Sequence, residues 1–123
     1  MVKNTKGFTM IELLTAMAIV SILSAVALPH FSSYKYRAFN ARSVSDLQQA
    51  LKAEEALYTE EERYFNCVNI ACETILPDFV LSAGSQIAVV TSNNNQRFTI
   101  TVSNAAGDKT YLYDSTTSTT SSS

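Results

Sequence analysis

A single carboxylate, Glu12, stands among about twenty apolar residues that run from Phe8 to Leu28. Burying an ionisable group in a membrane-length apolar stretch is costly, so such a residue is expected to have a task. The chemistry open to it is charge pairing. Met1 to Gly7 carries Lys3 and Lys6 and no acid. A cut after Gly7 would remove only this polar leader and leave a new amino group on Phe8, four residues from Glu12. An ammonium and a carboxylate at that spacing are natural partners, within one chain or between staggered neighbours. Within its own segment Glu12 is expected to have no partner other than that amine.

The second reactive pair is Cys67 and Cys72, the only cysteines. Neither has a histidine or a second cysteine pair nearby, which argues against zinc. In an exported domain they should form a disulfide; facing the cytoplasm they would be two free thiols. Closing so short a loop is worth about 2 kcal/mol in the chain-entropy model. Catalytic chemistry finds little else. His30 has no partner of a nucleophilic triad, and Glu60 to Glu62 are consecutive, so they do not converge as an acid/base pair must. Gly7, Gly84 and Gly107 make no phosphate loop, and Asn93 to Asn95 reads as a turn. No enzyme activity, metal or cofactor is expected.

The order of leader and apolar segment differs from a secretory signal peptide, whose small-residue cleavage site follows its apolar region. Here Gly7 precedes it, and no Ala-x-Ala site follows. The string Lys6-Gly7-Phe8-Thr9-Met10-Ile11-Glu12-Leu13-Leu14 resembles the class III signal, or prepilin N-terminal methylation motif, of type IV pilins and type II secretion pseudopilins. The pattern continues to Pro29 and is specific over roughly Lys3 to Ala41. The resemblance implies cleavage between Gly7 and Phe8 on the cytoplasmic face by a prepilin peptidase, with N-methylation of Phe8. It implies assembly with identical subunits, on an inner-membrane assembly platform, into a helical filament with the apolar helices at its centre. Glu12 then neutralises the Phe8 amine of a neighbouring subunit. His30 after the proline is less usual for that family.

These residues need elements to position them. Phe8 to Leu28 would span about 31 Å as a helix, close to the roughly 30 Å hydrocarbon core of a bilayer. A small chain can hardly bury a helix that is apolar all round. Pro29 removes one backbone hydrogen bond and crowds the Ala25 carbonyl, so a kink or meltable segment is expected there. Ser21 and Ser24 are placed to satisfy freed carbonyls. Helical spacing resumes with Phe31, Tyr34, Ala38 and Ala41, then Val44, Leu47, Leu51 and Tyr58. Lys35, Arg37 and Arg42 come early in this half, and Glu54, Glu55 and Glu60 to Glu62 late. That polarity is either a solvated face or an aid to subunit stagger. Because cations flank both sides of the apolar segment, the positive-inside rule does not settle its orientation.

From Gln86 the period changes to two. Ile87–Thr91, Arg97–Ser103 and Lys109–Asp114 read as strands joined by polar turns, with Phe79–Leu81 a possible short edge strand. Ser115 to Ser123 contains only Ser and Thr and reads as a disordered tail. The aromatics Phe8, Phe31, Tyr34, Phe39, Tyr58 and Tyr64 read as interface packing.

The expected fold is α+β: a long N-terminal helix, transmembrane in its first half and kinked at Pro29, packed on an antiparallel sheet of about three strands, the pilin fold. Its parts are a cleaved leader (1–7), a transmembrane and filament-core helix (8–28), an amphipathic second half (29–63), a globular head with the disulfide loop and sheet (64–114) and the tail (115–123). Net charge is −2, or −4 without the leader lysines, so no strongly basic nucleic-acid surface is present. The expectation is a filament subunit, a major pilin, held in the bacterial inner membrane with its N-terminus cytoplasmic and head periplasmic before assembly into an extracellular pilus. A secretion pseudopilin or minor pilin is the alternative. A membrane-anchored binding domain that never polymerises is the distant rival, and it leaves Glu12 and the Gly7-Phe8 junction unexplained. Adhesion, motility, DNA uptake, secretion and electron transfer are not distinguished.

Overall fold

The computed structural model describes residues 6–123. Of the leader expected over residues 1–7, only Lys6 and Gly7 fall among them. Seven elements follow: α1 (Met10–Glu61), β1 (Cys67–Val68), α2 (Ile70–Ile75), β2 (Ser85–Ser92), β3 (Arg97–Asn104), β4 (Thr110–Asp114) and β5 (Thr119–Ser122). The chain divides into two compact units, one ending at Tyr34 and the other starting at Lys35. Each is described on its own.

In the first unit, α1 is apolar on every side and every described residue is exposed. Its polar side chains are satisfied locally. Thr15 donates to the Ile11 carbonyl at 3.0 Å, Ser21 to Met17 at 2.8 Å and Ser24 to Val20 at 2.7 Å. Hydroxyls in a helix without water close on the preceding turn in this way. Ser21 and Ser24 are expected from the sequence to satisfy carbonyls freed by Pro29. They are used one turn further back instead, and Ser32 donates to the Pro29 carbonyl at 2.9 Å.

In the second unit, α1 buries Leu47, Ala50 and Ala53 against the sheet. The same stripe buries Asn40, Ser43, Asp46 and Glu54, which the reading based on apolar periodicity did not assign to the core. Buried polar groups need partners. Asn40 donates to the Asp108 side chain at 2.6 Å and accepts the Asp108 N–H at 3.2 Å. Asp46 accepts the Ser82 hydroxyl at 2.7 Å, and Glu54 accepts the Phe65 N–H at 3.1 Å. Leu51 and Tyr58 pack at the edge of the core.

The five strands form one antiparallel sheet in the order β1-β2-β3-β4-β5. Five strands replace the three expected. β3 shows the period-two alternation of a half-buried strand: Phe98, Ile100 and Val102 face the core and Thr99, Thr101 and Ser103 face away. The extra strands are the two edges. Thr119–Ser122 pairs with β4, where a disordered tail was expected. Cys67–Val68 pairs with β2, taking the edge that Phe79–Leu81 was expected to supply. Phe79 is buried outside any strand.

Side chains complete the edge beyond the two residues of β1. Asn69 Oδ1 accepts the Ile87 N–H at 3.0 Å, and Asn66 Oδ1 accepts the Thr91 N–H at 2.6 Å. Cys67 and Cys72 are joined by a disulfide across the loop that carries Asn69, with Cys72 fully buried. The β2–β3 turn places Asn93, Asn94 and Asn95 at positive φ, a conformation Asn tolerates better than most residues.

That turn docks on the end of α1. Tyr58 donates to Gln96 Oε1 at 2.8 Å, and Gln96 Nε2 donates to the Glu62 carbonyl at 3.0 Å. The Tyr64 N–H donates to the Asn95 carbonyl at 2.9 Å. Tyr58 stacks on Tyr64, and Phe98 and Tyr113 continue the row in tilted contacts, with ring centroids 4.6, 4.4 and 5.8 Å apart.

Candidate functional site

The sequence points to Gly7, Phe8 and Glu12, and the structure adds Thr9. Thr9 stands just before the first helical residue, Met10. Its side-chain oxygen accepts the Glu12 N–H at 3.3 Å. Glu12 Oε2 reaches back to accept the Thr9 N–H at 2.8 Å and the Thr9 hydroxyl at 3.0 Å. This reciprocal arrangement is a capping box: each side chain satisfies a backbone donor that the first helical turn leaves free.

The expectation that Glu12 lacks a partner within its own segment is therefore corrected. The signal was present in the sequence, because Thr9-Met10-Ile11-Glu12 has the T-x-x-E spacing of the box. Electrostatics reinforce the placement, since a carboxylate in the first turn meets the positive end of the helix dipole.

Gly7 and Phe8 precede the helix in non-helical chain. A Cβ added at Gly7 would meet nothing within 4 Å, and the Phe8 side chain is 92% exposed. The junction is thus accessible and adjoins the Thr9–Glu12 box in sequence. The large apolar side chains from Phe8 to Leu28 are between 56% and 92% exposed. Pro29 lies inside α1. Cys67 and Cys72 belong to the other unit and serve the sheet edge.

The other notable carboxyl is Glu54. Burial, with the Glu55 carboxylate beside it, pushes Glu54 up to about 7 against the opposing hydrogen bond from Phe65. Burial and the same Glu55 carboxylate push the neighbouring Tyr64 hydroxyl up to about 12.

Known proteins share this N-terminal pattern. The family model for the prokaryotic N-terminal methylation motif matches residues 2–28. The chain is 32% identical over 66 residues to the type IV major pilin protein PilA of Myxococcus xanthus. It is 40% identical over 58 residues to a fimbrial protein of Pseudomonas aeruginosa. It is 37% identical over 62 residues to the type IV wide pilus major component PilA4 of Thermus thermophilus. These matches cover 54%, 47% and 50% of this chain and 30%, 38% and 47% of the relatives, less than half of each relative's length. The matched motif coincides with the start of the long apolar helix and its capped carboxylate, and over this N-terminal part the chain is similar to type IV pilins and fimbrial proteins.

Proposed function

We propose that this chain is the structural subunit, a major pilin, of a type IV pilus-like filament. The observation that carries the proposal is the first unit of α1: a membrane-length helix, apolar all round and uncovered, whose one carboxylate is held at its N-terminus beside the Gly7-Phe8 junction. Such a surface is stable in a bilayer or among copies of itself, and the proposed life cycle uses each in turn. The relatives named above as major pilins favour that subclass over a pseudopilin or minor pilin.

In this reading a prepilin peptidase cuts between Gly7 and Phe8 and methylates the Phe8 amine. The N-terminus is cytoplasmic and the sheet unit is exported, where Cys67 and Cys72 oxidise. An incoming subunit then brings its Phe8 ammonium to the Glu12 of a subunit already docked. Glu12 enters that step positioned by Thr9, so little side-chain freedom remains to be lost on pairing. Docking and charge pairing then reinforce one another. Helix packing along the exposed apolar surface supplies the rest of the association free energy. Pro29 provides a place where α1 bends or melts during assembly.

The test is complementation of a piliated bacterium deleted for its own major pilin but retaining peptidase and assembly machinery. Surface filaments built from this chain, with a mature N-terminus at methyl-Phe8 by intact mass, are the expected result. A membrane-inserted chain that is never processed and never forms filaments would overturn the reading and favour the non-polymerising membrane protein.

A further inference from the structure

The two edges of the sheet in the second unit differ. At one edge the side chains of Asn66 and Asn69 accept the Thr91 and Ile87 N–H groups. At the other lies β5, built only of Ser and Thr and exposed throughout. Thr110 and Ser123 exchange two main-chain hydrogen bonds, at 2.9 and 3.0 Å. In an antiparallel ladder such pairs alternate with pairs that exchange none. With Leu112 opposite Ser121 and Tyr113 opposite Thr120, it is Thr119 and Ser121 that bond to β4. Thr120 and Ser122 turn their N–H and C=O groups away from it. Among the described residues, no other group bonds to them. Edge strands are commonly shielded by charge, proline or a bulge. Ser115 to Ser123 contains no charged residue and no proline, and the pairing of β5 with β4 runs without a break.

We propose that the β5 edge pairs antiparallel with the β5 edge of a second copy, so that two sheet units become one continuous sheet. The opposite edge decides the occupant. Addition of β5 to the β2 edge of another copy is blocked by Asn66 and Asn69, which leaves β5 itself as the matching free edge. The pairing is self-complementary. About a two-fold axis at Ser121, Thr120 of each copy faces Ser122 of the other. Both of these are hydrogen-bonded pairs, and each exchanges two bonds. Ser121 faces its own counterpart in the pair between them, where hydroxyl side chains interact favourably across strands. Charge favours the same place. The chain carries a net charge of −2, so copies repel one another, and Ser115 to Ser123 is a neutral stretch.

Subunits of one helical filament are related by a screw operation, whereas this contact is two-fold. It therefore joins copies that belong to different filaments. A single contact is small, but its repetition along two filaments adds through avidity. The lateral step rests on the filament reading given above; the pairing of two copies does not.

The first test uses the full chain in detergent micelles, with single cysteines introduced at the edge, mild oxidation by diamide and non-reducing electrophoresis. Only Ser121 faces itself, so Ser121→Cys should give a disulfide-linked dimer in about tenfold higher yield than Thr120→Cys. Adding Thr120→Pro removes an outward N–H and leaves the β4 ladder intact, and it should abolish the Ser121→Cys dimer. Equal yields from the two cysteine variants, a dimer that survives Thr120→Pro, or no dimer at all would overturn the proposal. The second test compares filaments from the complemented strain by electron microscopy. The parent should form side-by-side bundles and Thr120→Pro single filaments. Single filaments from the parent would overturn the lateral step even where the micelle dimer forms. A strain that makes no filaments would instead refute the filament reading, and the micelle result would still decide the pairing.

Discussion

The Glu54 carboxylate, fully buried in the core-facing stripe of α1, accepts the main-chain N–H of Phe65 at 3.1 Å. The bond ties the segment entering the disulfide loop back to the helix. The second oxygen of Glu54 has no protein partner. Burying such a group favours its neutral form, and this has a measurable consequence.

Glu54 is raised from 4.5 to about 7, so folding favours the protonated acid. The unfolded chain releases this proton first as pH rises. The contribution is fully present below about 4.5 and is lost progressively as pH rises to about 7. Chemical unfolding of the second unit, followed by tyrosine fluorescence in the full chain, should show that loss between pH 4.5 and 8. Glu54→Gln should flatten the profile in this window; a profile as steep as the parent's would show that another group is responsible.

Glu12→Ala should leave a processed, membrane-inserted protein, because removing a charge eases insertion. Filament numbers by electron microscopy should fall severely at equal protein level by immunoblot. Normal filaments built only from the variant would remove Glu12 from the assembly step.

Thr9→Ala should free the first turn of α1 at a cost of about 1 kcal/mol, whereas Thr9→Ser keeps the cap. Amide exchange at Ile11 and Glu12 is the direct readout. Faster exchange in Thr9→Ala with parent-like exchange in Thr9→Ser is expected. Equal protection in all three would mean that the Thr9–Glu12 box does not stabilise the helix start.

Reducing or removing the Cys67–Cys72 disulfide should lower the stability of the second unit by about 2 kcal/mol, the value for a short closed loop. The loss should be local, with exchange rising first at Ile87 and Val89 beside β1. If the sheet unit is exported as proposed, peptide mapping without reductant should recover the two cysteines linked, and quantitative alkylation of both would contradict that proposal.

Gly107→Ala would set a Cβ 2.6 Å from Asn40 Oδ1. The Asn40 side chain must then give way, and its two bonds to Asp108 go with it. Destabilisation of about 1–3 kcal/mol is expected. In a double-mutant cycle Gly107→Ala should cost little once Asn40→Ala is present. Additive effects would show that the turn is not held through Asn40.

Much of this was legible in the sequence because periodicity reports burial. The alternation of Phe98, Ile100 and Val102 marked β3, and the apolar run to Leu28 marked the first half of α1. What escaped detection lacks that signal. β1 has two residues and depends on Asn66 and Asn69 from outside the strand. β5 contains only Ser and Thr and is held by main-chain pairing with β4. The polar residues in the core-facing stripe of α1 find their partners far along the chain, Asn40 at Asp108 and Asp46 at Ser82, so local spacing could not reveal them. The capping box has a local signal, the T-x-x-E spacing of Thr9 and Glu12, but a lone charge in an apolar run fits a partner outside the helix equally well.

The asparagines that close the β2 edge bear on crowding. An open strand edge is a template, and many identical edges held side by side invite pairing of the wrong kind. Asn66 and Asn69 occupy the Thr91 and Ile87 donors with side chains that cannot propagate a ladder. In the proposed filament these sheet units could therefore stand close together without fusing along that edge. Replacing the two asparagines would turn a self-limiting surface into an adhesive one, and the penalty would be felt by the assembly before the fold.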